Sequence, residues 1–102
     1  MVATINAVHF DITSRLADFI NKKIDRLCRR YDVITGADVT LKVVKPETAL
    51  NKEAQILLNV PGASDVFASK TCDTFEEAVD LSIDALERQL EKIKEEKLKA
   101  QK

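Results

Sequence analysis

Five cations, Lys22, Lys23, Arg26, Arg29 and Arg30, fall between positions 20 and 30, opposed only by Asp25. A second set closes the chain, where Arg88, Lys92, Lys94, Lys97, Lys99 and Lys102 stand among Glu91, Glu95 and Glu96. Between the two lies a stretch of opposite sign: positions 73–87 carry six acids (Asp73, Glu76, Glu77, Asp80, Asp84, Glu87) and no base. Lysine and arginine gathered in this way hold anions by charge-assisted hydrogen bonds, and phosphate suits them well. A formal net charge of −1 argues against a nucleic-acid binder when taken as an average. A ligand that touches one face responds to the local field instead, and here the signs are segregated.

Covalent chemistry finds no foothold. His9 is the single histidine, at a strand end and without an evident nucleophile or carboxylate partner, so its reading is structural. Cys28 and Cys72 match no metal-ligand spacing and read as small core fillers with free thiols. Asp80, Asp84 and Glu87 share a helical face, but no His or Cys joins them. No enzyme, metal, cofactor or small-molecule substrate is expected.

The elements that must position these charges follow from periodicity. The chain of 102 residues is long enough for one core, and its 45% apolar and 32% charged residues suit a single globular domain over 1–102. Positions 2–10, VATINAVHF, are rich in β-branched residues and read as a strand. DITSRLADFINKKIDRLCRRY follows, with Thr13 or Ser14 as N-cap and Leu16, Ile20, Ile24, Leu27 and Tyr31 at helical spacing. Gly36 just beyond suits a turn. ADVTLKVVK, AQILLNV and SDVFASK read as three further strands, the last two separated by Pro61-Gly62, the signature of a type II turn. Thr74 and Glu77 then form the capping box of a long second helix. The segment KPETALNKE reads as a mobile loop, and positions from about 96 to 102 are expected to fray. The strand–helix–three-strand–helix order implies a two-layer α+β domain, a four-stranded sheet with both helices on one face. No apolar run reaches membrane-spanning length and no signal segment opens the chain, so the cytoplasm is the expected compartment and no membrane partner is expected.

Each helical residue turns about 100°. With Ile20 at zero, the apolar anchors of the first helix lie within about 40°, while Arg15, Lys22, Lys23, Arg26, Arg29 and Arg30 lie between about 180° and 300°. Asp18 and Asp25 fall on the other flank. On the second helix, with Leu86 at zero, Arg88 and Lys92 lie at about 200–240° and Asp80, Asp84, Glu87 and Glu91 at about 100–160°. Acids early and bases late complement a helix dipole, which accounts for part of the second helix. Helix stability does not call for five cations together on the first, so that flank reads as an anion-binding surface. Lys94 and Lys97 project nearer the apolar side and mark where the helix outruns the core.

With the bases placed, the chain resembles the ribosome hibernation-promoting factor family, also known as ribosome-associated inhibitor A or sigma-54 modulation proteins. The resemblance rests on DITSRLADFINKKIDRLCRRYDVITGADVTLKV and VPGASDVFASKTCDTFEEAVDLSIDALERQLEKIK, and most specifically on EEAVDLSIDALERQLEKIK. It implies the element order reached above, in a fold similar to double-stranded-RNA-binding domains. It also implies binding to small-subunit ribosomal RNA at the decoding centre, occupancy of the sites of messenger and transfer RNA, and silenced translation in stationary phase or stress. Ribosomal proteins would be further contacts. Carried over by position, Lys23, Arg26 and either Arg29 or Arg30, with Arg88 and Lys92, match the family's RNA-contacting bases; Lys22 joins them on the same flank. The family pattern has a lysine where Ala85 stands and a base where Val8 stands. The resemblance is to the short form, without a C-terminal dimerisation domain. The competing reading is a protein-interaction module in which the acidic flank of the last helix docks a basic ribosomal or transcription protein.

Overall fold

The computed structural model describes residues 3–8, 10–44, 50–63 and 66–100, the last five by backbone alone. The order is β1 (Thr4–Val8), α1 (Ser14–Arg30), β2 (Gly36–Val43), β3 (Lys52–Asn59), β4 (Val66–Cys72) and α2 (Phe75–Ala100). The sheet follows chain order, β1-β2-β3-β4. β1 runs parallel to β2, as a crossover through α1 requires, and the rest is an antiparallel meander. This is the expected α+β architecture, β-α-β-β-β-α in two layers.

Alternation along the strands decides which face is covered. Ala37, Val39 and Leu41 of β2, Ala54, Ile56 and Leu58 of β3, and Val66 and Ala68 of β4 are buried together with Ile20, Ile24, Leu27, Val79, Leu86 and Leu90 of the helices. The register stacks Val39 beside Ile56 and Ile56 beside Ala68, so one apolar layer spans the sheet. Ser82 is buried in this layer and donates its hydroxyl to the carbonyl of Ala54 at 3.5 Å. Phe10 stacks on Phe75 with ring centroids 4.9 Å apart, closing one end between the β1–α1 link and the start of α2.

Both helix starts follow their sequence signals. Thr13 accepts a hydrogen bond from the Leu16 amide at 3.1 Å, and Thr74 accepts one from the Glu77 amide at 3.2 Å. Gly62 has φ of 83°, and the Ala63 amide bonds back to the Val60 carbonyl, as a type II turn at Pro61-Gly62 demands.

Several boundaries differ from expectation. β4 runs past Lys70 to Cys72, because Thr71 and Cys72 pair with Glu53 and Lys52, and β2 ends at Val43, before Val44. Gly36 does not make the turn after α1; it opens β2 opposite Asn59, and the chain reverses at Asp32 and Val33 instead. β3 begins at Lys52 rather than at Ala54, because Lys52 and Glu53 complete the ladder with Val43 and Lys42. β1 ends at Val8, before Phe10 turns into the core. His9 and most of the expected mobile loop lie outside the described residues. Helical backbone continues through Ala100; of the tail expected to fray, the side chains beyond 95 and residues 101–102 lie outside the description. Leu90 is the last buried residue described on α2 and Ile93 is half-buried, so the helix does outrun the core where Lys94 turns to solvent.

Candidate nucleic-acid interface

Because both helices bury their apolar stripes on the same face of the sheet, their charged flanks meet side by side. The approach of α1 to α2 sorts the cations into two groups. Those nearest α2 are engaged: Lys23 pairs with Asp80 at 2.9 Å, and Arg30 reaches Glu87 at 3.7 Å and Glu91 at 4.0 Å. Arg29 pairs along its own helix with Asp25 at 3.0 Å. The hydroxyl of Tyr31, which is buried at the end of α1, donates to the Glu91 carboxylate and ties the same seam. Burial and that hydrogen bond push the Tyr31 phenol above its ordinary pKa, helped by the charges of Glu91 and Glu87 and opposed by Arg30.

The other cations stand on the crests. Among the described residues Lys22, Arg26, Arg88 and Lys92 have no ion pair, and all four are exposed. Lys22 and Arg26 border an open depression on α1 beside Phe19, with Arg29 at its end. Arg88 and Lys92 border another on α2, which Arg30 enters from α1. The helix layer therefore presents two cationic crests with an acidic seam between them, in which Asp84 faces both sides. Arg15, about two turns before Lys22, extends the α1 crest and is exposed. Its azimuth put it on the basic flank from the outset; the crest shows that it belongs with Lys22 and Arg26.

All seven cations singled out in the sequence thus lie on the helix layer, in different roles. Lys23 and Arg30 are shared with α2, Arg29 is held by Asp25, and Lys22, Arg26, Arg88 and Lys92 are available to a ligand. The acidic flank of α2 is turned toward α1 and already takes that helix's cations. Neither cysteine is poised as a nucleophile: burial raises the thiol pKa of both, with Glu77 and Asp73 adding to the effect at Cys72. Among the described residues no group of three or more His, Cys, Asp or Glu side chains could hold a metal ion, and no helix is long and apolar enough to cross a membrane.

Parallel crests of unpaired cations on one face are suited to a rigid, extended polyanion rather than to a small ligand in a cleft. The chain belongs to the Sigma 54 modulation protein / S30EA ribosomal protein family, whose model matches residues 3–98. It is 36% identical over 101 residues to the ribosome hibernation promoting factor of Azotobacter vinelandii, covering 99% of this chain and 90% of that protein. The ribosome hibernation promotion factor of Deinococcus radiodurans is 36% identical over 86 residues, which cover 82% of this chain and 44% of its own. Among solved structures, a ribosomal subunit interface protein from Coxiella burnetii superposes with a TM-score of 0.79 at 29% identity, covering 92% of this chain and 98% of that one. The N-terminal domain of Thermus thermophilus Protein Y superposes with a TM-score of 0.75 at 25% identity, covering 90% and 97%.

Proposed function

We propose that this protein is a ribosome hibernation factor that binds small-subunit ribosomal RNA at the decoding centre and excludes messenger and transfer RNA by occupying their sites. The observation that carries the reading is the pair of cationic crests on the helix layer of a chain in this family. Lys22 and Arg26 on one crest and Arg88 and Lys92 on the other neutralise phosphates; Lys23, Arg29 and Arg30 add to the field while held by carboxylates. The mechanism is occupancy, so no bond is made or broken. With about six phosphate contacts, log affinity falls with log salt at a slope of about −4 to −5. The names of the hibernation-promoting and subunit-interface relatives fit this role, and so do the described depressions beside the crest cations, which are open to solvent. The engagement of Asp80, Glu87 and Glu91 by Lys23 and Arg30 leaves the acidic flank little to offer a basic protein, which favours RNA over the protein-docking reading.

The decisive experiment is co-sedimentation of the Arg26→Glu/Arg88→Glu double variant with purified small subunits. Neither residue has an ion pair among the described residues, so melting stays close to that of the parent chain while binding is lost. A double variant that still travels with the subunits at the parent's affinity excludes this surface.

A further inference from the structure

The α1 crest carries one residue that its charge does not explain. Arg15, Phe19, Lys22 and Arg26 follow one another at intervals of four, three and four, so they form a single row along the helix. Phe19 is half-buried, its inner part packed against the core, and its ring borders open depressions on both sides. Toward the N-terminus the charged neighbours are Arg15 and Lys22 with Asp18; toward the C-terminus they are Lys22, Lys23, Arg26 and Arg29 with Asp25, which pairs with Arg29. The Lys23 ammonium stands 5.5 Å from the ring centroid and is itself held by Asp80 at 2.9 Å, which orients the ring from the seam side. Packing alone would be served by any apolar side chain here. An aromatic ring set into a row of phosphate-binding cations is the combination by which proteins take hold of unpaired nucleotides.

We propose that Phe19 is a stacking platform for one unpaired base, whose flanking phosphates are held by Arg15 and Lys22. The α1 crest then grips a splayed or single-stranded nucleotide, because bases inside a regular RNA helix are stacked on each other and present no face to a side chain. Arg15 lies about 10 Å along the axis from Lys22, with Phe19 between them, so the two cations bracket the base. The proposal rests on the RNA-binding reading and specifies which form of RNA this crest takes.

The test uses the full chain, small ribosomal subunits, and a short single-stranded RNA carrying 2-aminopurine, whose fluorescence is quenched by stacking. Phe19→Leu keeps the apolar packing and removes the π face; Phe19→Tyr keeps both. Phe19→Leu is expected to weaken subunit binding roughly 5- to 150-fold with an unchanged salt slope, while Phe19→Tyr stays near the parent. The parent chain quenches 2-aminopurine and Phe19→Leu does not. If Phe19→Leu binds subunits like the parent while Arg26→Glu binds weakly, stacking is overturned and the RNA reading stands. If neither variant alters binding, the RNA reading itself falls. Should Phe19→Leu fail to fold, the parent and Phe19→Tyr decide through the quench: its absence in both overturns the platform.

Discussion

The cations of α1 nearest α2 and those on its crest are alike in type, close in sequence and different in circumstance. Lys23 and Arg30 lean into the seam and meet Asp80, Glu87 and Glu91; Lys22 and Arg26, one and four residues away from them, face solvent without a described ion pair. The seam pairs are partly exposed, with the Arg30 side chain 62% accessible, so each adds little stability and serves mainly to fix how the helices lie. The crest cations are exposed, form no ion pair among the described residues and repel their neighbours slightly, a cost that a polyanion on that surface would offset. The seam also explains why net charge misleads. Its acids cancel the inner cations at short range and help bring the chain to −1, while Lys22, Arg26, Arg88 and Lys92 keep no ion pair among the described residues.

Exchanging the two groups is the largest test of this division. Neutralising the crest with Lys22→Gln/Arg26→Gln is expected to weaken small-subunit binding about 10- to 100-fold near 0.1 M salt and to flatten the salt slope by about 1.5 to 2. Neutralising the seam with Lys23→Gln/Arg30→Gln leaves the slope within about 0.5 of the parent and lowers unfolding free energy by under about 1 kcal/mol. Affinity measured across a salt series, beside urea unfolding, separates the two. Equal slope changes in both variants would erase the distinction between crest and seam.

A smaller effect probes the seam's end. Tyr31→Phe removes the hydroxyl donated to Glu91 and is expected to cost about 1 kcal/mol by urea unfolding, with subunit affinity little changed. The parent also carries an alkaline signature. The phenol pKa is raised in the folded state, so the native form holds its proton where the unfolded chain has lost it. That contribution is complete below the unfolded value of about 10 and is lost as pH rises through the folded one. Stability therefore declines above about pH 10 more steeply in the parent than in Tyr31→Phe. Parallel pH profiles would remove Tyr31 from the seam.

Much of this arrangement is legible in the sequence, and the exceptions have physical causes. Periodicity placed Ile20, Ile24, Leu27, Leu86 and Leu90 inside, since burial is what apolar spacing records. Local hydrogen-bond chemistry narrows the first cap to Thr13 or Ser14, of which the fold uses Thr13, and points to Thr74 and Pro61-Gly62. Gly36 departs from expectation because a glycine after a helix resembles a C-terminal stop, yet a side chain there would meet the Asn59 Cβ at an ordinary 3.6 Å, so nothing at this position demands glycine. Lys52 and Glu53 lie beyond the apolar pattern of β3 because backbone pairing, not apolar alternation, recruits them. At the site, azimuth gave each charge its flank. It could not say which flanks would touch, because that depends on how the helices settle over the sheet. The pairing of Lys23 with Asp80, and hence the split between seam and crest, belongs to tertiary structure.

The smallest expected effect has the opposite sign and reads the seam from the ligand's side. Asp84 is exposed, lies between Arg26 and Arg88, and forms no ion pair among the described residues. A carboxylate there weakens the field of both crests at the distance where a phosphate would sit, by about 0.5 kcal/mol through water and salt. Asp84→Asn keeps the side chain's size and removes its charge, so it is expected to tighten small-subunit binding about two- to threefold without altering unfolding in urea. Asp38→Asn is the matched control: it changes net charge equally, but Asp38 is exposed in β2 between buried Ala37 and Val39 and so lies on the sheet face away from the helices, and its effect on affinity should be smaller. Equal gains from the two variants would mean that total charge, rather than the seam between the crests, sets the grip on RNA.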